Sequence, residues 1–256
     1  MQQPTKSAVL YNGKVKIDFY EGRHTYKKDG ETLISVTGAT GMIDKSRPLL
    51  IWAERLAAND LLEKLKSGKK LTAEDVLTAT GLHRVYKKEA ADTGTLIHNF
   101  AEAWVKHKLK IIKDGPAMPT DEKVLNGAMA FLKWVDEHKV KFIAAEKLVY
   151  SKKHNYVGLC DTIFTMGSEK HKILHVGDYK SSKAIYNEYR YQVAAYQEAD
   201  TEESGAVYGN KWIMKFGKDD GEFEAKEFAE HDKDFKVFLA CLAIKKREKE
   251  LSKFNN

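Results

Sequence analysis

The chain has 256 residues, of which 43% are hydrophobic and 31% charged, and this composition is typical of a globular protein rather than a disordered one. Lys and Arg exceed Asp and Glu by 43 to 37, which gives a net charge of +6 at pH 7. This excess is compatible with a polyanionic partner but does not establish one. No stretch has the apolar length of a membrane helix or of a signal peptide core, so we expect a cytoplasmic protein with no membrane partner.

The two cysteines, Cys160 and Cys241, lie far apart in apolar surroundings and form no CxxC pair. A zinc or iron–sulfur site built on cysteines is therefore not expected. Buried free thiols, of the kind found in reducing compartments, are the favoured interpretation.

Residues 1–48 predict strands, and residues 49–140 predict helices. Residues 8–20 resemble a strand pair around Asn12-Gly13, and residues 24–28 and 32–37 resemble a second pair around Asp29-Gly30. Helices are predicted over 49–65, 72–80, 83–91, 92–110 and 121–138, with Gly81 ending the second. In the helix over 92–110, His98 and Glu102 are four residues apart and share a face.

The hydrophobic period changes at Phe142. Strands are predicted over 142–151, 156–165 and 172–180, a helix over 186–199, a hairpin of 206–216 with 221–228, and a last helix over 231–252. This order predicts an α/β (α+β) fold in one domain over 1–256, with a core over 141–230, in which the candidate catalytic residues described next are found, and a C-terminal helix over 231–256.

Two of these strands each carry an aspartate among apolar residues. Asp161 precedes Ile163 and Phe164, and Asp178 follows Val176. A carboxylate in such a position is unfavourable unless it is paired or binds a cation, and an alternative is that both cap strand ends. Lys180 stands two residues after Asp178 and so points to the same face of the strand.

Carboxylates are the hard oxygen ligands that Mg²⁺ and Mn²⁺ prefer, and a lysine beside them can orient a nucleophile or stabilise a phosphate. The backbone carbonyl of Tyr179 is a candidate additional ligand. Glu146, from the preceding strand, is another. His98 taken alone is more simply a surface histidine.

The ordered set of motifs resembles the PD-(D/E)XK nuclease superfamily, and within it the RecB-type exonuclease branch, which includes phage and mitochondrial genome-maintenance exonucleases. The resemblance spans about residues 24–200. It comprises six features in order: Ser35-Val36-Thr37, Leu49 to Ala53, G-x-x-x-H at Gly94 to His98, G-x-x-D at Gly158 to Asp161, D-x-K at Asp178 to Lys180, and Q-x-x-x-Y at Gln192 to Tyr196.

The resemblance implies a restriction-endonuclease-like core, in which a central mixed β-sheet is flanked by helices, with a helical N-terminal insertion. It implies one or two Mg²⁺ or Mn²⁺ ions and a DNA partner. The implied metal ligands are His98, Asp161 and Asp178, with Glu102 and Glu146 as outer candidates. Lys180 would be the catalytic lysine, Gln192 and Tyr196 would orient DNA or active-site groups, and Ser35, Thr37 and Lys45 would contact phosphates.

Several RecB-type members hold an iron–sulfur cluster through four cysteines. With two, this chain is expected to have none. The leading hypothesis is a metal-dependent DNA exonuclease that acts on ends or single strands, in a bacterial or phage-infected cell. The alternatives are a structure-specific endonuclease of recombination or spacer processing, a non-catalytic nucleic-acid-binding module on the same fold, and a hydrolase of small phosphate esters. The oligomeric state is not predicted.

Overall fold

Two β-sheets and a set of α-helices make up the computed structural model, which describes residues 4–167, 173–217 and 222–254. For residues 87–94, only the backbone is described, so Gly94 of the predicted motif is placed as part of a helix and no more. The predicted boundaries at residue 172 and within 218–221 lie outside the described residues. Both cysteines are buried free thiols, as predicted.

The first sheet is antiparallel, in the order β1 (Lys6–Leu10), β2 (Val15–Tyr20), β3 (Thr25–Lys28) and β4 (Glu31–Thr32). The hairpin predicted at Asn12-Gly13 is confirmed, because both residues have the positive φ angles, 55° and 88°, that such tight turns require. A short 3₁₀ helix, Glu21–Arg23, joins β2 to β3.

The strand predicted over 32–37 is wrong. The structure divides this stretch into the end of β4, a two-residue strand β5 (Ile34–Ser35) and a short helix α1 (Val36–Thr40). The reason lies at Ser35, whose hydroxyl accepts a 3.0 Å hydrogen bond from the backbone N–H of Gly38 and so caps the helix.

Three helices follow: α2 (Ser46–Lys66), α3 (Ala73–Lys108) and α4 (Glu122–Glu137). The predicted stop at Gly81 is wrong, because α3 is continuous. A glycine weakens a helix by only about 1 kcal/mol, and α3 is stabilised by a capping box at Thr72 and Asp75 and by the burial of Ile97, Ala101 and Val105. The apolar spacing of α2 does not mark a core-facing stripe, since α2 contains no buried residue.

The second sheet contains β6 (Lys141–Ser151), β7 (Tyr156–Thr165), β8 (Leu174–Ser181), β9 (Tyr208–Phe216) and β10 (Phe223–Phe228). Its order is β10-β9-β8-β7-β5, with β6 paired to β7. Strand β8 is antiparallel to β7 and parallel to β9, and the crossover between β8 and β9 is α5 (Asn187–Ser204). The sheet is therefore mixed, as predicted.

Helices cover both faces of this sheet. On one face, α5 and α6 (His231–Leu251) bury Val193, Tyr196 and Phe238 against it. On the other face, α3 and α4 bury Ile97 and Phe131. The first sheet packs separately, with Val15, Ile17 and Tyr26 against Tyr150 and Val157 at the end of the β6–β7 hairpin. The fold is a mixed α/β arrangement with a central mixed sheet flanked by helices, as the sequence predicts. Among the described residues, no helix combines the length and apolarity needed to span a membrane.

One edge of β7 is shared by two strands. Strand β6 pairs along the other edge over nearly all of β7, from Tyr156 to Thr165. On the shared edge, β5 pairs with Tyr156 and Val157, and β8 pairs with residues 162–164. Strands β5 and β8 therefore diverge beside residues 158–161, and a gap opens in the sheet at this point.

Candidate active site

A cleft of about 300 Å³ lies at the divergence of β5 and β8. Its walls come from the first sheet, β5 and the start of α1, helix α3, and strands β6, β7 and β8, with one residue from α5. The residues that line it are His24, Tyr26, Ser35, Val36, Thr37, His98, Glu102, Glu146, Gly158, Leu159, Asp161, Asp178, Tyr179, Lys180 and Tyr196. Ten of the twelve predicted site residues are among them: Ser35, Thr37, His98, Glu102, Glu146, Asp161, Asp178, Tyr179, Lys180 and Tyr196.

The two aspartates lie side by side on neighbouring strands. Thr162 pairs with Gly177 across β7 and β8, and one further step in this register sets Asp161 opposite Asp178. The backbone N–H of Tyr179 donates a 2.8 Å hydrogen bond to Oδ2 of Asp161. This bond fixes the Asp161 carboxylate toward the cleft, where Asp178 is almost fully buried at 2% exposure.

The charges of Asp161, Asp178 and Lys180 influence one another across the cleft. Burial, with the neighbouring charge of Asp178, raises the pKa of Asp161 well above its usual range. The Lys180 ammonium forms an ion pair with Oδ2 of Asp178. Burial alone would lower the Lys180 pKa, but the negative charges of Asp178 and Asp161 outweigh it, and the pKa is raised. Lys180 is therefore held as a cation beside Asp178.

His98 reaches the cleft from α3, which packs on the face of the second sheet opposite to α5. Its ring packs edge-on against the ring of Tyr179, with centroids 5.5 Å apart, and its Nε2 lies 3.9 Å from Oε2 of Glu102. Burial lowers the pKa of His98, although Glu102 and Asp178 oppose this. The predicted meeting of His98 with the two aspartates in one cleft is thus observed, through a helix that crosses the sheet beside Tyr179.

Lys106 links two carboxylates of the cleft. Its ammonium contacts Glu102, one turn before it on α3, and Glu146 on β6. Glu146 has a φ of +46°, which is unusual inside a strand. Ala144 and Val149 are five residues apart and would point to opposite faces of a regular strand, yet both pack in the core beneath α5. The alternation of side chains therefore changes around Glu146. This change turns the Glu146 carboxylate toward the cleft.

The two predicted residues of α5 have different positions. Tyr196 lines the cleft and packs closely on Gly158, where an added Cβ would lie 2.5 Å from Cε1 of the tyrosine ring. Gln192 is buried, and its Nε2 donates a 3.0 Å hydrogen bond to Oγ1 of Thr40. Gln192 therefore does not line the cleft. Its hydrogen bond connects α5 to α1.

Of the three predicted phosphate contacts, two are at the cleft. Ser35 and Thr37 line it, with their hydroxyl oxygens 3.4 Å apart. Lys45 does not line it, because its ammonium pairs at 2.7 Å with Glu188 at the start of α5. The expectation that Lys45 belongs to this surface is therefore not met by its position.

The structure adds cleft residues that sequence reasoning missed. Lys106 lies four residues after Glu102 on α3, a spacing that indicates an ion pair, although nothing in the sequence connects it to Glu146. His24 and Tyr26 come from the first sheet, and no local pattern marks them. Their proximity to Asp161 depends on how the two sheets pack.

Among the described residues, no three His, Cys, Asp or Glu side chains converge closely enough to bind a metal ion as they stand. Lysine ammonium groups contact three of the four cleft carboxylates. The chemistry of the donor set nevertheless fits a divalent cation, because carboxylates from two adjacent strands face one cleft together with an imidazole.

Comparisons with known proteins add little to this geometry. No family model matches the chain, and no curated protein matches it. Among solved structures, the chain is similar to an alkaline exonuclease from Laribacter hongkongensis, with 12% sequence identity, coverage of 62% of this chain and 86% of that chain, and a TM-score of 0.29. The function is therefore inferred from the residues of the cleft.

Proposed function

We propose that this chain is a metal-dependent nuclease that hydrolyses phosphodiester bonds of DNA, as an exonuclease acting on ends or single strands. The observation that carries the proposal is the meeting of Asp161, Asp178 and Lys180 in one cleft, at the gap between β5 and β8. Both acids come from strands whose neighbours are apolar, where a carboxylate is unfavourable unless it is paired or binds a cation.

Asp161 and Asp178 would hold a Mg²⁺ or Mn²⁺ ion, with the His98 imidazole and the Tyr179 carbonyl as further ligands. When bound, the ion would be a Lewis acid that offsets negative charge on the phosphate and lowers the pKa of a water molecule. Burial and the charge of Asp178 disfavour the ionised form of Asp161, and the Lys180 ammonium pairs with Asp178, so a divalent cation would add the charge that keeps both carboxylates ionised.

Three of the remaining cleft residues, Lys180, Ser35 and Thr37, contact the substrate directly. The Lys180 ammonium donates to a non-bridging oxygen of the scissile phosphate and holds the attacking water beside it. The Ser35 and Thr37 hydroxyls donate to the adjacent phosphate of the same strand. The Tyr196 ring, packed on Gly158, closes the floor of the cleft and excludes water from the α5 side.

The test uses end-labelled DNA, single- and double-stranded, linear and closed circular, with Mg²⁺, Mn²⁺ or EDTA. We expect cleavage of linear substrates that stops in EDTA. Asp178→Ala and Lys180→Ala should each lower the rate by on the order of 100-fold or more. Cleavage of closed circles would instead indicate an endonuclease.

A matched control exists outside the cleft. Lys147 and Asp200 form a similar ion pair between β6 and α5, with Asp200 almost fully buried. Lys147→Ala should leave the rate per folded molecule unchanged. If Lys147→Ala and Lys180→Ala lost the same fraction of total activity and neither lost rate per folded molecule, reduced folding would explain both losses and the assignment of this cleft would be overturned.

A further inference from the structure

Three aromatic rings form one cluster on the wall that the first sheet contributes to the cleft. The rings of Phe19 and Tyr26 lie 4.8 Å apart, and the His24 ring stands edge-on to both, at 5.4 Å from Phe19 and 5.9 Å from Tyr26. His24 and Tyr26 line the same cleft as Asp161 and Lys180. The wall that the first sheet contributes is therefore aromatic.

The aromatic cluster is fixed by the core beneath it and by the backbone conformation of His24. Tyr26 is 3% exposed and belongs to the core between the two sheets. His24 ends the 3₁₀ helix with a φ of +45°, and its backbone N–H donates a 2.9 Å hydrogen bond to the carbonyl of Glu21. This conformation sets the exposed imidazole at the cleft, supported by two rings, so that little side-chain freedom is left to lose on binding.

A flat, exposed ring beside a phosphate-binding cleft matches the shape of a nucleobase. Proteins that bind single strands pair cationic groups for the backbone with aromatic rings on which bases stack. A base within a duplex has its faces covered by its neighbours, whereas an unpaired base at a strand end offers a free face.

We propose that His24, backed by Phe19 and Tyr26, is a stacking site for an unpaired base of the nucleotide next to the scissile phosphate, so that the cleft selects single-stranded ends. This inference rests on the proposed function and extends it, since it names the form of DNA that the same cleft accepts. His24 acts here as a specificity residue and takes no part in bond cleavage.

Three variants and two substrates test the stacking contact. His24→Ala removes the ring, His24→Phe keeps a ring without the imidazole nitrogens, and His138→Ala is the control. His138 is likewise an exposed histidine at the end of a helix, packed at 5.2 Å on Trp134, but it lies outside the cleft. The substrates are a single-stranded oligonucleotide and the same strand with an abasic end.

Binding is measured by fluorescence anisotropy in EDTA, and cleavage is measured with Mg²⁺. We expect His24→Ala to weaken binding and raise KM for the intact strand by on the order of tenfold, with kcat nearly unchanged. His24→Phe should restore most of the loss, and His138→Ala should match the wild type. On the abasic strand, His24→Ala and the wild type should be equal, because the base that stacks is missing.

A fluorescent base analogue at the strand end gives a direct signal, since stacking quenches it. The quenching should disappear in His24→Ala and persist in His24→Phe. If His24→Ala keeps wild-type quenching and KM while the protein cleaves DNA, this inference is overturned and the nuclease stands. If the wild-type protein neither binds nor cleaves any of these strands, the proposed function and this inference are both overturned.

Discussion

The backbone N–H of Tyr179 on β8 donates a 2.8 Å hydrogen bond to Oδ2 of Asp161 on β7. The same strand residue therefore orients one cleft carboxylate through its backbone and packs against His98 through its ring, at 5.5 Å. Strand pairing and core packing together set the geometry of this site, and changes to either should affect the acid groups in ways that can be measured.

Asp161→Asn should change how stability depends on pH. Because burial and Asp178 raise the pKa of Asp161 in the folded state, the folded protein binds this proton more tightly than the unfolded chain. The stabilisation of the folded state by this protonation is complete below the pKa of an aspartate in the unfolded chain, about 3.9. It is lost as the pH rises through the pKa of Asp161 in the folded state. Asparagine keeps an acceptor for the Tyr179 N–H but does not titrate.

The measurement is thermal unfolding of both proteins in EDTA over a series of pH values. The Tm of Asp161→Asn relative to the wild type should increase as the pH rises above the unfolded value. A difference in Tm that stays constant across the series would contradict the raised pKa. Nuclease activity should be lost in the same variant at every pH.

Gly158→Ala should destabilise the protein and disturb Tyr196. The new Cβ would lie 2.5 Å from Cε1 of Tyr196 and 2.9 Å from Cγ2 of Val36, and overpacking of this kind destabilises by about 1–3 kcal/mol. Denaturant unfolding measures the loss. Combining the change with Tyr196→Leu should cost less than the sum of the two single changes, because the clash is relieved.

Gly81→Ala is the matched control for Gly158. Among the described residues, no atom outside the adjoining backbone of the same helix lies within 4 Å of a Cβ built at Gly81, and Gly81 is inside α3. Alanine there should stabilise the helix by about 0.5–1 kcal/mol. If Gly158→Ala were neutral, the close approach of α5 to β7 would have to be looser than the contact distances indicate.

Lys106→Met should create a site that responds to divalent cations. The change leaves Glu102 and Glu146 without their shared ammonium, and in EDTA we expect a loss of roughly 1–3 kcal/mol. Mn²⁺ should recover part of this loss, because a cation can replace the ammonium. Thermal unfolding with and without Mn²⁺ checks both effects.

Two variants control for the response of Lys106→Met. Adding Glu146→Gln should abolish the recovery by Mn²⁺, because one of the two carboxylates is gone. Lys133→Met removes an exposed ion pair with Glu137, at 3.7 Å, and should change stability by less than about 0.5 kcal/mol. A loss in Lys106→Met that Mn²⁺ does not alter would argue against a cation between the two glutamates.

Lys211→Met should leave the protein as stable as the wild type or make it more stable. Lys211 is fully buried on β9, its ammonium lies 3.6 Å from Oδ2 of Asp234, and burial lowers its pKa. Arg190 contacts both oxygens of Asp234, at 3.3 and 3.2 Å, and would keep that carboxylate paired.

Asp234→Ala, in contrast, leaves Lys211 and Arg190 without their shared partner and should destabilise by about 3–5 kcal/mol. Chemical denaturation of the two variants compares these effects. Equal losses would mean that the buried lysine contributes as much as the carboxylate. Because the lowered pKa makes the charged lysine unfavourable in the fold, wild-type stability should rise toward alkaline pH more steeply than that of Lys211→Met.

The local elements of this protein follow from its sequence. The hairpin at Asn12-Gly13, the amphipathic helix that ends before His138, and the three strands from Lys141 to Ser181 are encoded by turn residues and by hydrophobic period, which act over a few positions. The meeting of Asp161, Asp178 and Lys180 was also predictable, because consecutive strands usually pair and side chains two apart share a face.

Other features depended on contacts between distant residues, which no local pattern records. Helix α3 continues through Gly81 because its later turns are buried against α4 and β8. Residues 32–37 divide because Ser35 caps α1 and because Ile34, just before it, pairs with Tyr156, more than a hundred positions along the chain. The composition of the cleft was decided in the same way: packing of the first sheet on the second brings in His24 and Tyr26, and the close approach of α3 to β6 joins Lys106 to Glu146.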